Sequence, residues 1–572
     1  MMKELTTRTV VIGSGCAGLN AADWLFDLGE KDVLLVTEGM NCGTSRNTGS
    51  DKQTYYKLTL SGDDGDSVGD MMKTFLRDDV HGDTALCEAA NSAKCFFKLA
   101  LLGVPFPYNE YGEYVGYQTD HDVRKRATSV GPLTSKFMTE ALEASVRRKG
   151  IRVLDHALAY EICTDENGVC GVNCFMTDTR EWARIRCAHV VLCTGGPAQI
   201  YRDSVFPLSQ HGMSAMAFMA GAKGANLDCW QYGLASTGFR WNVSGSFQQV
   251  IPRYVSVDEN GTEREFLADA LGEEEAMAMT FLKGYQWPYD VRKTEGSSRV
   301  DILVKKETDL GRRVYMDFMH NPRGYAPERL SETALEYLTN CGALQATPIE
   351  RLRAMNAPAI ELYRSHNIDI EREMLEVRVC AQHHNGGIAV DSNWQTCVPG
   401  LYACGECAGT FGMYRPGGSA LNSTQVGSMR AAEHIARVSR RTVAQTSAPF
   451  AAPLLPCGDV PALTAHAQAQ MTLHAAFLRD SDGMRAWQDE IGSILQNSTP
   501  AQESDEFLVR RLRLRDLLIT QQYVLSAMLA AQEAPSGGVM ITDEAGSRRE
   551  TPRPLPERDL WFERVWKRSR NA

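Results

Sequence analysis

Arg8-Thr9-Val10-Val11-Ile12-Gly13-Ser14-Gly15-Cys16-Ala17-Gly18, running on to Asp32-Val33-Leu34-Leu35-Val36-Thr37-Glu38, is the stretch that decides the architecture. A β-branched run stops at Gly13, apolar residues recur at helical spacing from Ala17 to Leu28, Gly29 ends that pattern, and a second strand closes at Glu38. Strand, helix and strand in so short a span predict a βαβ unit with parallel strands. Gly13, Gly15 and Gly18 form G-x-G-x-x-G where strand passes to helix: Gly13 for the tight turn, Gly15 for close approach of a pyrophosphate, Gly18 for helix–strand packing. Ser14, Cys16 and Ala17 fill the loop, and the helix N-terminus offers N–H groups and a partial positive charge to phosphate. Glu38, twenty residues past Gly18, stands where a ribose hydroxyl is expected. The unit reads as a dinucleotide site.

Further along, Arg152 to Gly171 is strand-rich, and Ala188-His189-Val190-Val191-Leu192-Cys193 is a short buried-strand pattern followed by Thr194-Gly195-Gly196. Gly400-Leu401-Tyr402-Ala403-Cys404-Gly405-Glu406 is another short strand, ending in Gly-Glu before a Gly-rich loop and a helix from about Asn422. Two distant elements of this kind suit FAD. A second G-x-G-x-x-G unit, which a built-in NAD site would need, is missing from the sequence. Residues 234 to 356 mix aromatics, glycine and charge without a parallel-sheet rhythm, and strand and Gly-rich motifs resume at Val377 and end near Ile435. A Thr/Ala/Pro-rich linker, Thr442 to Pro456, leads to two predicted long amphipathic helices, Ala462 to Gln496 and Asp505 to Gln532. The basic run Arg510, Arg511, Arg513 and Arg515 sits among acids and reads as a solvated helix face.

At 572 residues the chain has room for two or three domains, and 43% apolar with 23% charged residues is ordinary for a globular protein. A formal net charge of −11 argues against a nucleic-acid or anionic-membrane surface. No run of ~18 apolar residues is present, so no membrane-spanning helix is expected. A strand begins within a few residues of Met1, leaving no room for a signal peptide, and cytoplasmic residence is the expectation. The sixteen cysteines are scattered, with one C-x-x-C at Cys404-Gly405-Glu406-Cys407. One such pair cannot hold a zinc ion or an iron–sulfur cluster, so buried free thiols and no metal are expected.

Three further segments stand in a fixed order: Asn41-Cys42-Gly43-Thr44-Ser45-Arg46-Asn47-Thr48-Gly49-Ser50, His383-His384-Asn385-Gly386-Gly387-Ile388, and Tyr414-Arg415-Pro416-Gly417-Gly418-Ser419. Together with Gln231-Tyr232 after Asp228 and with Val314-Tyr315-Met316-Asp317, they resemble the fumarate reductase/succinate dehydrogenase flavoprotein family, which also includes L-aspartate oxidase and the adenylylsulfate reductase flavoprotein. The resemblance covers essentially the whole chain. It implies an α/β fold: a Rossmann-like FAD-binding domain (1–233 and 357–441), an inserted α+β capping domain (234–356) and a C-terminal helical domain (457–572). It also extends the expected FAD contacts to Gly39, Thr44, Ser45, Asn47, Gly49, Ala157, Thr194, Gly195, Gly196, Asp228, Glu406, Ser419, Ala420 and Leu421.

Departures from the family pattern carry information. Asn47 stands where several members attach the flavin to a histidine, so the FAD is expected to be noncovalent. Gly233-Leu234-Ala235 replaces a His-Pro-Thr of dicarboxylate-active members, and Phe411 replaces a histidine four residues before the loop arginine, which argues against succinate and fumarate as substrates. Arg415 takes the place of the substrate-carboxylate arginine. His383 or His384 is the candidate to bind substrate or donate a proton. Arg299 matches the cap-domain proton donor; a guanidinium needs reprotonation, for which Asp301 or Glu295 is a candidate neighbour. The expected function is a flavin-dependent oxidoreductase acting on an activated carbon–carbon bond of a small molecule, with an external electron donor or acceptor that could itself be a protein. An L-aspartate-oxidase-like oxidase and a non-catalytic flavoprotein subunit are the alternatives.

Overall fold

A computed structural model describes residues 3–62, 65–119, 122–284, 295–444, 450–535 and 537–556. Five residues of the expected linker, 445–449, lie outside that set, as do 285–294 of the expected cap and 536 and 557–572 of the expected C-terminal domain. In its first half the chain forms β1 (Thr9–Ile12), α1 (Cys16–Asp27), β2 (Val33–Val36), α2 (Gly82–Leu101), β3 (Arg152–Leu154), β4 (His189–Leu192) and β5 (Trp230–Ser236). Then follow α3 (Glu273–Lys283), α4 (Ser298–Asp309), α5 (Pro348–Ser365), β6 (Leu375–His384), β7 (Leu401–Ala403), α6 (Ser419–Arg437), α7 (Val460–His474), α8 (Ser481–Gln496) and α9 (Leu508–Glu533). Shorter elements are cited by residue range.

Five strands form one parallel sheet in the order β7-β4-β1-β2-β3. Its central strands are buried along their whole length, as befits a parallel sheet covered on both faces. α1 packs against β1 and β2 on one side and along α6 on the other, which brings residues 16–27 and 419–437 together. The packing is close enough to require glycine. A Cβ at Gly18 would lie 1.8 Å from the Gly13 carbonyl oxygen, and one at Gly13 would lie 2.3 Å from that of Cys193. Gly13 also holds φ +111°, in the left-handed region.

A six-stranded antiparallel sheet occupies the middle of the chain, in the order Trp241–Asn242, β5, β6, Arg313–Asp317, Arg253–Val257, Glu263–Arg264. β5 and β6 bracket the expected cap in sequence and pair with each other, so this sheet draws on both sides of residues 234–356. Their register runs Gln231↔His383, then Tyr232↔Ala381, leaving Gln382 as a bulge. A bulge breaks the alternation of faces and re-aims neighbouring side chains.

The C-terminal region differs from its expected all-helical form in two ways. Ala462 to Gln496 is two helices, α7 and α8, with Asp480 capping the second. After α9 the chain turns back as a hairpin, Val539–Asp543 with Gly546–Glu550, which pairs with Gly224–Ala225. Of the basic run on α9, Arg510 is exposed as expected, but the other three arginines are not simply solvated. Arg511 pairs with Asp505 at 2.6 Å and donates to the carbonyls of Leu455 and Pro456, and Arg513 pairs with Glu38. Arg515 is largely withdrawn from solvent, and its pKa is lowered by burial. Among the described residues no helix is long and apolar enough to cross a membrane.

Candidate functional site

A cleft of about 230 Å³ starts at the C-terminal ends of β1 and β4, where ligands of open α/β sheets collect. Gly13, Ser14, Gly15, Cys16 and Ala17 form its floor with Thr194 and Gly195; Glu38, Thr44, Ser45 and Ala157 line one part, and Glu406, Ala420 and Leu421 another. Gly15 supplies no side-chain cap to α1 and the first turn holds no acid; the Ser45 hydroxyl accepts from Cys16 N at 3.3 Å, and the other N–H groups of that turn are available to an anion. Ser14 Oγ bonds Thr37 Oγ1 at 2.8 Å, tying the glycine loop to the end of β2. A glycine cradle, an open helix N-terminus and an acid at the end of β2 fit a dinucleotide's pyrophosphate and ribose.

Seven residues expected to contact FAD do not line this cleft: Gly18, Gly39, Asn47, Gly49, Gly196, Asp228 and Ser419. Gly18 is spent on helix–strand packing. The Asn47 amide turns back to the carbonyls of Asn41 and Gly43, and Gly49 sits against Pro132 and the Trp241 ring. Asp228 is buried elsewhere, its pKa raised by burial against the pull of Arg479 and Arg549. The Ser419 hydroxyl closes a turn onto Pro416, and Gly196 sits against the Glu406 carboxylate. Ser14 Oγ also donates to the Gly39 carbonyl, so Gly39 supports the loop from behind.

Other lining residues had no sequence signal: Gln53, Ser135, Gln210, His211, Gln382 and Thr424 among them. Gln210 shapes the floor, donating to the carbonyls of Thr194 and Gly196 and accepting from Thr44 N at 3.3 Å. Gln382 reaches the cleft beside His383 because the bulge between β5 and β6 suspends their alternation.

The two candidate histidines separate cleanly. His383 lines the cleft, and its Nδ1 lies 3.0 Å from Asn385 Oδ1. The Asn385 amide nitrogen donates to the carbonyls of Gly412 and Met413, so Oδ1 is the acceptor and His383 carries its proton on Nδ1. Burial, then the Arg415 charge, holds the His383 pKa well below the usual imidazole value. His384 points away: its ring stacks on Trp230 at 4.1 Å, and Nε2 meets the Leu227 carbonyl at 3.2 Å. Burial pushes its pKa down to about 3.

Arg415 is buried at 4% exposure. Its Nε and Nη2 both donate to Gln231 Oε1, at 3.0 and 2.7 Å, and Nη1 donates to the Pro416 carbonyl at 3.2 Å. Two buried acids stand near it without bonding to it. Burial pushes Glu406 up to about 7, opposed by backbone donation from His384 and by the Arg415 charge. Burial likewise pushes Glu88, on α2, up to about 8, opposed by the Ser423 and Thr410 hydroxyls and then by Arg415. Phe411 packs with Tyr56, Met71, Phe75 and Val80, and Gly233 pairs with Cys380 within the β5–β6 ladder.

Arg299 does not join this group. It forms an ion pair with Glu275 of α3 and its side chain is over a third exposed, whereas Asp301, one of the two expected neighbours with Glu295, is buried against Lys283. Helical geometry explains the separation: two positions apart on α4, residues 299 and 301 face different directions. Cys404 and Cys407 are both buried free thiols. Among the described residues no three His, Cys, Asp or Glu side chains gather as a metal site.

Residues 8–421 match the family model described as an FAD binding domain. L-aspartate oxidase of Neisseria meningitidis serogroup B is 27% identical over 350 residues, 59% of this chain and 60% of that protein's length. The L-aspartate oxidase of Caulobacter vibrioides is 24% identical over 561 residues, 94% of each chain. Among solved structures, E. coli quinol fumarate reductase FrdA aligns with a TM-score of 0.69 at 16% identity, over 97% of this chain and 98% of that one. Adenylylsulfate reductase from Archaeoglobus fulgidus aligns with a TM-score of 0.60 at 15% identity, over 92% and 89%. At such identities the structural likeness speaks for the fold alone.

Proposed function

Because the chain belongs to the FAD binding domain family, matched over residues 8–421, we propose that it is an FAD-dependent oxidoreductase that reduces or desaturates an activated carbon–carbon bond, on a substrate other than fumarate or succinate. The bound flavin supplies reversible two-electron chemistry, and the chain's own residues bind, orient and exchange protons.

Arg415 carries this reading. Its guanidinium is buried, yet among the described residues it bonds only an amide oxygen and a peptide carbonyl, which satisfy donors without offsetting charge. Glu88, raised to about 8, is largely protonated near neutrality, and Glu406, raised to about 7, is only part-ionised there, so the guanidinium charge is incompletely opposed. A substrate carboxylate or enone oxygen, gripped by the guanidinium fork, supplies the missing partner. Phe411 and Gly233, in place of two polar contacts, favour a larger or more apolar acid than a C4-dicarboxylate. His383, neutral and protonated on Nδ1, leaves Nε2 as a hydrogen-bond acceptor, and its lowered pKa makes it a weak base, so it suits orienting a substrate donor group better than giving a proton. Arg299 receives no role in the reaction, since its partner is Glu275.

Curated relatives named L-aspartate oxidase favour a second reading, oxidation of an amino acid with oxygen as the electron acceptor. One experiment separates the two. Anaerobically reduced holoprotein is mixed with unsaturated acids and enones, and oxidised holoprotein is supplied with L-aspartate in air. Reoxidation by members of the first panel supports the carbon–carbon reading. Hydrogen peroxide formed from L-aspartate, with no reoxidation by the panel, replaces it with the second.

A further inference from the structure

The cofactor cleft has an electrostatic peculiarity. Among the described residues no lysine or arginine lines it, while two acids do, Glu38 and Glu406. A dinucleotide brings a dianionic pyrophosphate into that space, close to the Glu38 carboxylate at the end of β2. Like charges so placed repel unless a cation stands behind one of them. His211, which lines the same end, does not supply it, because burial pushes its pKa down to about 4. The cation beside Glu38 is Arg513 of α9, 475 residues away in sequence, paired through Nη2 to Glu38 Oε2.

We propose that Arg513 is a positioning residue for the adenosine half of the cofactor, acting through Glu38. The inference rests on the reading of Glu38 as the acceptor of a ribose hydroxyl. A carboxylate has two oxygens. Arg513 takes Oε2, fixes the rotamer and offsets the charge, and Oε1 remains to accept from the ribose. α9 holds the same wall at a second point: Asp516, three residues on, accepts from Ala215 N at 2.9 Å, just after the cleft-lining Met213. α9 stays anchored without Arg513, because Leu512, Leu514, Leu517 and Leu518 are buried in the core. The C-terminal helix, outside the family match over 8–421, thereby becomes part of the cofactor site.

The test measures affinity rather than turnover. Dissociation constants for FAD come from flavin fluorescence on dilution of the full-length holoprotein. Those for ADP and FMN come from calorimetric titration of the full chain stripped of cofactor. Arg513→Gln is expected to weaken FAD and ADP by the same factor, about tenfold, as for loss of one charge-assisted hydrogen bond, and to leave FMN unchanged, because FMN has no adenosine. Arg513→Lys, which keeps the charge, recovers most of that loss. Glu38→Ala weakens FAD comparably, and adding Arg513→Gln to it costs nothing more, because the two residues act as one unit. Unchanged FAD affinity in Arg513→Gln overturns the proposal, as does an equal loss for FMN or multiplication of the two single losses. Glu38→Ala binding FAD as tightly as the wild type removes the ribose reading and the proposal with it. Weakening by Glu38→Ala alone keeps the ribose reading and removes Arg513 from it.

Discussion

Arg415→Met is the perturbation that bears most directly on the proposed chemistry. Methionine keeps much of the aliphatic stem beside Phe411, whose ring centre lies 6.0 Å from the guanidinium carbon, and removes the charge and all five donors. Within the protein, Gln231 Oε1 loses the donors at 3.0 and 2.7 Å. Leaving that buried acceptor unpaired costs about 1–3 kcal/mol of stability. Glu406 loses the cation that holds its pKa down, so it rises above about 7 and is protonated throughout the neutral range. For a ligand carboxylate the loss is larger, because its charge enters a buried site with no partner: about 2–4 kcal/mol, or roughly 30- to 1000-fold in affinity. The assay is single-turnover reoxidation of dithionite-reduced holoprotein over a range of concentrations of an active acid from the panel, with its methyl ester as control. The substrate concentration for half-maximal rate should rise by that factor for the acid and by less than about threefold for the ester. Flavin reduction by dithionite should be unaltered. If the variant saturates with the acid at wild-type concentrations, Arg415 is not the anchor.

The purified protein should be yellow and release its FAD on acid or heat denaturation; flavin retained by the denatured chain would contradict the noncovalent assignment. Arg299→Ala should reoxidise within about twofold of the wild-type rate at saturation, since an exposed ion pair contributes little; a loss of ~10²-fold or more would restore it as an acid. Glu88, raised from 4.5 to about 8 by burial, contributes stability that is full below pH 4.5 and lost as pH rises through about 8. Glu88→Gln should therefore flatten the pH dependence of thermal unfolding and stabilise the protein by ~2–4 kcal/mol at pH 8 relative to the wild type; parallel melting profiles at pH 5 and pH 8 would count against it. Fumarate reduction and succinate oxidation should stay below a kcat/KM of ~10⁴ M⁻¹s⁻¹.

What was legible in the sequence is what local chemistry constrains. The Gly13–Gly18 turn, Glu38 at the end of β2 and the Gly-Glu pair at 405–406 lie where strand passes to loop, and their spacing follows from strand and helix geometry. The cleft's other polar wall was invisible because it is assembled by tertiary contact. Gln210 becomes part of the floor only when residues 194–196 and 43–44 meet it. Gln382 is aimed inward by a register irregularity that strand periodicity does not encode. The two histidines show the same limit: adjacent residues on a strand face opposite sides, which says that they separate, but which one faces the cleft depends on the partner strand. Some signals were present and unread. Asp480-Ser481-Asp482-Gly483 is a helix start inside the span taken as one helix, and the Asp543–Gly546 turn between β-prone runs marks the terminal hairpin.

Charge is the property least accessible from motifs and the one that organises this site. Each acid in the cleft has an arginine behind it, contributed by a segment remote in sequence or by the Gly-rich loop. Arg513 bonds Glu38 directly, whereas Arg415 acts on Glu406 through space and bonds Gln231 instead. The difference has a consequence. Glu38 bonds its arginine through Oε2, so that arginine is occupied, and Oε1 remains to accept from a hydroxyl. Glu406 is left near its midpoint at neutral pH, and its arginine keeps a charge that no carboxylate satisfies. Among the described residues no Lys or Arg lines the cleft, which leaves the pyrophosphate to backbone N–H groups and the α1 N-terminus. On the proposed reading, cofactor and substrate recognition rest on different physical terms, dipoles at one end and a buried monopole at the other. Raising ionic strength should weaken substrate acids that reach Arg415 through solvent more than it weakens retention of FAD.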